Sequence, residues 1–235
     1  MDKYNVYQDM SRRTGGEIYL GIVGPVRTGK STFIKRFMEL VVIPEMSDDN
    51  EKVRTIDELP QSADGKTIMT TEPKFIPKEA AVIHFSNQET GKIRLIDCVG
   101  YLVPEAVGAI EEEKERMVKT PWSEEEIPFS KAAEIGTSKV IREHSNLGLI
   151  ITTDGSFGDI AAANFEEALQ KTVMECEKAG KPFLILVNTS RPDSQETIQF
   201  KKRLEAQYGK TVMAVNCKTM DREDVFRIME QLLAD

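Results

Sequence analysis

A buried strand, a glycine-bounded turn and an amphipathic helix follow one another near the start of the chain, and that order constrains the fold more than anything else in it. Glu17-Ile18-Tyr19-Leu20-Gly21-Ile22-Val23 has the nearly continuous apolar character of a strand covered on both faces. Gly24-Pro25-Val26-Arg27-Thr28-Gly29-Lys30-Ser31 then fits the pattern G-x-x-x-x-G-K-S/T at every fixed position, with Thr32 next. Phe33, Ile34, Phe37, Met38 and Val41 share one helical face, and Pro44 marks its end. The spacing has a chemical reason. Gly24 and Gly29 let the backbone curl so that successive N–H groups point at β- and γ-phosphates. The following helix adds its positive dipole end. Lys30 sets an ammonium on the phosphate oxygens, and the Ser31 hydroxyl is placed to ligate Mg²⁺. The plainer alternative is a tight strand–helix turn that matches by chance; the flanking strand and helix favour the phosphate site.

The rest of the chain alternates strands with helices. Ala81–Phe85 and Ile93–Ile96 read as two short strands joined by a hairpin loop over Asn87–Gly91. A helix is predicted over about Phe129 to His144, then strand Leu147–Thr152 and a helix with Phe165, Leu169, Val173 and Cys176 on one face. Strand Phe183–Asn188, a helix through Phe200, Leu204 and Tyr208, strand Val212–Val215 and a helix bearing Val225, Ile228, Met229 and Leu232 complete it. Such alternation implies right-handed crossovers. We therefore expect a three-layer α/β fold of the P-loop NTPase type, with a mostly parallel sheet and one antiparallel edge strand from the hairpin. Residues 1–235 read as one domain, with an N-terminal extension over about 1–16 and irregular loop insertions over about 45–79 and 101–128.

Two further segments suit a nucleotide site. Leu95-Ile96-Asp97-Cys98-Val99-Gly100 is a strand ending in D-x-x-G, where Asp97 can hold Mg²⁺ through a water and the Gly100 N–H can reach the γ-phosphate. Thr70 and Thr71 lie in the polar insertion before it, and either hydroxyl can close on Mg²⁺ and the γ-phosphate; a solvated loop threonine is the plainer reading. Catalytic candidates are Lys30, Thr70, Thr71, Asp97 and Arg27. Nucleotide-binding candidates run from Gly24 through Pro25, Val26, Arg27, Thr28, Gly29, Lys30 and Ser31 to Thr32, with Gly100 and Asn188. Metal candidates are Ser31, Thr70 or Thr71, and Asp97 through water.

This order resembles the translation-factor-related branch of P-loop GTPases, with two departures. That branch reads guanine through Asn-Lys-x-Asp, the carboxylate accepting from the base. Here the corresponding place is Asn188-Thr189-Ser190-Arg191, and a guanidinium cannot accept those hydrogens. Asp193 falls two residues late. ATP becomes the better substrate. After D-x-x-G, Tyr101 stands where many relatives carry a water-orienting glutamine, so slow turnover is expected. Arg27, at the fourth position of the phosphate loop, either stabilises charge on the β–γ bridge as an arginine finger supplied in cis, or simply faces solvent or a local carboxylate.

Longer stretches carry a more specific resemblance. Arg13–Gly21, Gly24–Ser31, Asp57–Ser62, Gly65–Phe75, Asp97–Tyr101, Thr120-Pro121-Trp122, Ala132–Thr137 and Ile151–Gly155 are similar to the stage IV sporulation protein A family, over essentially the whole chain. The resemblance implies a spore-coat morphogenetic ATPase that uses ATP and Mg²⁺ to drive self-assembly into a basement layer. It places such a protein in the mother-cell cytoplasm at the outer forespore surface. Its implied partners are itself, a small membrane-bound sporulation peptide and other coat proteins, contacted through later domains that this chain does not include. Family correspondence puts the P-loop lysine at Lys30, the sensor threonines at Thr70 and Thr71, and the strand-end Asp at Asp97. A GTP-hydrolysing regulatory switch and a nucleotide-binding scaffold without turnover are the alternatives, and a small-molecule kinase is weaker, since no acceptor-binding constellation stands out.

Composition narrows the classes. Thirty-one Lys and Arg against 39 Asp and Glu leave a net charge of −8, which argues against nucleic acid or an anionic membrane as main partner. No apolar run approaches a spanning helix. Three cysteines and two histidines, without C-x-x-C spacing, argue against a disulfide framework or zinc site. His84 and His144 read as structural, Glu111–Glu113 as a solvated face, and Trp122 as an anchor for its insertion or a contact to another subunit.

Overall fold

The computed structural model describes residues 16–60, 72–84, 90–104, 106, 110–111 and 114–234. Its centre is a six-stranded sheet formed by β1 (Glu17–Val23), β2 (Lys74–His84), β3 (Thr90–Asp97), β8 (Leu147–Thr153), β9 (Phe183–Asn188) and β10 (Val212–Val215). The spatial order is β10-β9-β8-β1-β3-β2. Four pairings are parallel, and only β2 runs antiparallel to its neighbour, at the edge. The expected mixed α/β fold with an antiparallel edge strand is therefore the one observed.

Both faces of the sheet are covered, and the central strands β8 and β9 are buried at every residue. On one face Leu20, Ile22, Leu95 and Leu149 pack with Phe33 and Phe37 of α1 (Lys30–Phe37) and with Val225, Ile228, Met229 and Leu232 of the C-terminal helix. On the other, Val23, Ile96, Ile150 and Ile185 meet Leu169 and Val173 of the helix after β8 and Leu204 of the helix after β9. Each fully buried large apolar side chain contributes roughly 1.5–3 kcal/mol. The chain turns to opposite sides of β1 after β3, so the carboxyl ends of β1, β3 and β8 open one crevice, where ligands of such sheets sit.

Local structure departs from the sequence expectation in both insertions. Residues 45–79 are not uniformly irregular, since they contain α2 (Asp49–Glu58) and the first residues of β2. Asp48 starts α2 by accepting from the Asn50 and Glu51 N–H groups at 2.7 and 3.1 Å. Val53 and Ile56 face solvent, so no buried apolar stripe announced this helix. β2 begins well before Ala81; its register shifts between Ile76 and Ala81, around Pro77, which masks the strand's alternation. Residues 101–128 contain two hairpins, β4 (Ile110–Glu111) with β5 (Lys114–Glu115) and β6 (Met117–Thr120) with β7 (Ser123–Pro128). Half-buried Trp122 sits at the tip of the second. α3 (Phe129–Lys139) holds that hairpin through the Phe129 N–H to Arg116 carbonyl bond of 2.8 Å.

The remaining helices are α4 (Glu166–Ala179), α5 (Gln195–Tyr208) and α6 (Arg222–Ala234). His144 closes the turn after α3 and packs edge-on against Phe75 at 5.4 Å, a structural contact. Cys98, Cys176 and Cys217 are free and buried. Thr70, Thr71 and residues 1–15 of the expected extension lie outside the described residues, as does most of the Asn87–Gly91 loop.

Candidate functional site

The phosphate loop leaves β1 at Gly24 and ends at Gly29, which caps α1 with φ +95°. A Cβ at Gly29 would lie 2.3 Å from Asn188 Nδ2, so only glycine lets the loop pass under that side chain. The buried Thr28 hydroxyl donates to the Pro25 carbonyl at 3.0 Å and ties the loop across its own width. Val26 is buried, and Ser31 and Thr32 stand half-buried on the first turn of α1.

Lys30 rises from that turn into the crevice. Its Nζ donates to the Pro25 carbonyl at 2.6 Å and lies 3.5 Å from that of Gly24. Burial lowers its pKa, while Cys98 and Asp97 pull the other way. Asp97 ends β3, one strand away. Burial pushes its carboxyl up to about 6, opposed by Lys30, Lys74, the Cys98 N–H and the Ser31 hydroxyl. Asp97 Oδ1 is enclosed and has no hydrogen-bond partner among the described residues. A carboxylate oxygen kept in that condition beside a serine hydroxyl suits a hydrated divalent cation. No group of three His, Cys, Asp or Glu side chains among the described residues is arranged to hold a metal ion by itself. A cation held by so sparse a set would need most of its oxygens from elsewhere, which Mg²⁺ tolerates by keeping waters.

Gly100 closes the other wall. A Cβ there would meet the Gly24 carbonyl at 2.1 Å and Lys30 Nζ at 2.7 Å, and its φ is +92°. The next residue, Tyr101, bridges Pro25 in parallel, and its carbonyl accepts from the Val26 N–H at 2.9 Å. Its ring packs against the outer side of the loop, in a cluster with Val26, Val103, Ile160, Phe165 and Ala168, capped by Lys171 Nζ at 4.9 Å. Arg27 is exposed, with φ +62°, and makes no hydrogen bond or ion pair among the described residues.

Asn188 ends β9 and reaches back to the loop. Nδ2 donates to the Thr28 carbonyl at 3.0 Å, and Oδ1 accepts from the Cys217 N–H at 3.0 Å. Beside it lies a polar network that sequence reasoning missed. Asp154, just past β8, accepts from the Thr189 hydroxyl at 2.6 Å and from the Ser156 N–H at 3.0 Å. Thr197 of α5 adds a longer bond of 3.4 Å. Burial raises the Asp154 pKa, but these hydrogen bonds outweigh it and hold the carboxyl below its ordinary value. A carboxylate followed by glycine at the end of an all-buried strand was the available signal. Lys30, Ser31, Asp97, Gly100 and Asn188 are all brought to the one loop; Arg27 stands at its tip, with its side chain in solvent.

Comparison with known proteins adds lineage. Residues 1–235 match the family model for stage IV sporulation protein A, ATPase domain. Stage IV sporulation protein A of Bacillus subtilis (strain 168) is 51% identical over 99% of this chain and 47% of its own length. Those of Bacillus anthracis and Clostridioides difficile (strain 630) are 49% and 47% identical over 99% and 98% of the chain, in each case 47% of the relative. The chain thus spans about half the length of the curated relatives it matches. Among solved structures, a crystal structure of a mutation variant of SsGBP covers 100% of this chain and 64% of its own, at a TM-score of 0.50 and 14% identity. That likeness concerns the fold alone.

Proposed function

Since this chain belongs to the stage IV sporulation protein A family, through that family's ATPase domain, we propose that it hydrolyses ATP to ADP and phosphate with Mg²⁺, and that hydrolysis licenses self-assembly of a spore-coat basement layer. The observation that carries this reading is the convergence of Lys30, Asp97 and Gly100, from two different strand ends, on one loop of backbone amides.

Each group has a task. The loop amides and Lys30 bind the β- and γ-phosphates and neutralise charge that develops there. Ser31 and Asp97, with Thr70 or Thr71, would hold the cation, which would supply charge neutralisation at the phosphates. The Gly100 N–H orients the terminal phosphate. Phosphoryl transfer to water asks for positioning and charge stabilisation more than covalent chemistry, and these residues supply both. With the Tyr101 ring packed elsewhere, turnover is slow.

Self-association, contacts with a small membrane-bound peptide and coat proteins, and residence in the mother-cell cytoplasm at the forespore surface belong to this proposal for the whole protein. No helix among the described residues is long and apolar enough to cross a membrane. The deciding experiment is phosphate release by the wild type and Lys30→Ala, with ATP and GTP in parallel. ATP-dependent release lost in the variant is expected. Equal release with GTP favours a regulatory GTPase, and release with neither nucleotide leaves a scaffold.

A further inference from the structure

β2 runs antiparallel to β3, so its first residues lie where β3 ends, at the mouth of the crevice. Lys74 stands directly across from Asp97 in that ladder. Residues opposite one another in an antiparallel pair share a face of the sheet, with Cβ atoms roughly 4.5–5.5 Å apart. The face is identified by the next pair on that side, Ile76 and Leu95, which pack in the same core as Phe33 of α1. Lys74 and Asp97 therefore both project on the side of the sheet where α1 carries Lys30 and Ser31. The strand order β1-β3-β2 puts Asp97 between Lys30 and Lys74.

Four Lys and Arg side chains lie on β2 and β3, and three of them are committed. Lys78 pairs with Glu58 at 3.5 Å, and Lys92 with Glu17 at 3.6 Å. Arg94 donates to the Pro77 carbonyl at 3.2 Å and lies over the Phe75 ring. Lys74 is exposed and closes no ion pair or hydrogen bond among the described residues. Its charge still reaches Asp97, whose ionised form it favours second only to Lys30 among the cations. An uncommitted ammonium thus stands beside a carboxylate whose Oδ1 is also without a partner among the described residues.

Resting on the nucleotide reading above, we propose that Lys74 is a second ammonium of the phosphate site and selects a nucleoside triphosphate over a diphosphate, by bonding the terminal phosphate from the far side of Asp97. In that reading the Asp97–Gly100 wall faces the terminal phosphate, and β2 carries Lys74 just beyond it. The flexible four-carbon stem lets the ammonium fold over that end of the site and make a charge-assisted bond. A diphosphate stops short of it and gains nothing.

Calorimetric titration of wild type, Lys74→Gln, Lys74→Arg and Lys78→Gln with ADP and the β,γ-imido analogue of ATP, all in Mg²⁺, tests this. Lys74→Gln should bind the triphosphate analogue about tenfold more weakly, and ADP within about twofold of wild type. Lys74→Arg keeps a charged donor and should keep most of the triphosphate preference. Lys78→Gln removes the same charge from the same strand and should change neither affinity. A lysine that only guards an edge strand would leave the triphosphate-to-diphosphate ratio of Lys74→Gln at its wild-type value, which overturns the proposal. Equal weakening in Lys78→Gln overturns it too, because the effect is then one of net charge. Wild type that binds neither nucleotide would instead sink the nucleotide reading itself.

Discussion

The Val26 amide donates to the Tyr101 carbonyl at 2.9 Å, which fastens the segment after Asp97 directly to the phosphate loop. Two segments from different strand ends are thereby made one unit. The same bond sends the Tyr101 ring, 4% exposed, into the apolar cluster over Val26. A residue at that position has a packing task here.

Tyr101→Gln follows from that packing. Glutamine would replace the ring's packing in the apolar cluster with a smaller, polar side chain, so we expect a loss of about 2 kcal/mol or more in a denaturant titration. Phosphate release should not rise. An increase in turnover would show that the side chain reaches the reacting phosphate after all.

Gly100→Ala should be more damaging than its size suggests. The added carbon would meet a carbonyl at 2.1 Å and the Lys30 ammonium at 2.7 Å, and the first contact is backbone that cannot swing aside. Nucleotide affinity, measured by calorimetry, should fall at least about tenfold. Wild-type affinity in this variant would mean that the two segments separate freely.

Asp97 predicts a conflict between stability and activity. Its folded carboxyl titrates near 6 against an ordinary 3.8, because burial disfavours the charge. The folded state thus keeps a proton that the unfolded chain has already released between those values, and stability falls as pH rises through that window. Without metal, Asp97→Asn should be more stable than wild type above pH 6, by up to about 2–3 kcal/mol, and equal to it at acid pH. Thermal melts in chelator at both extremes check the sign, and phosphate release should be lost.

Arg27 holds a left-handed backbone, φ +62°, that glycine adopts without cost. Arg27→Gly should therefore gain about 1 kcal/mol in thermal unfolding. If the guanidinium stabilises the β–γ bridge, Arg27→Gly and Arg27→Ala both bind nucleotide normally yet hydrolyse it severalfold more slowly. Unchanged turnover in both removes the catalytic role.

The phosphate loop was legible in the sequence because it is a contiguous device: strand, glycine turn and helix succeed one another within 25 residues of chain, Glu17 to Val41. The parallel sheet was legible for a similar reason, since apolar runs and helical faces alternate in register with the elements they build. Helix α2 was hidden, because a helix that buries little apolar surface leaves no periodic trace. Only the tertiary structure decided what Asn188, Tyr101 and Asp154 do. Asn188 meets Thr28 across 160 residues, and Tyr101 lies against Val26 because β3 pairs with β1. Such hydrogen bonds depend on which strands become neighbours and which side chains are left unpaired at their ends. Local pattern carries no record of either.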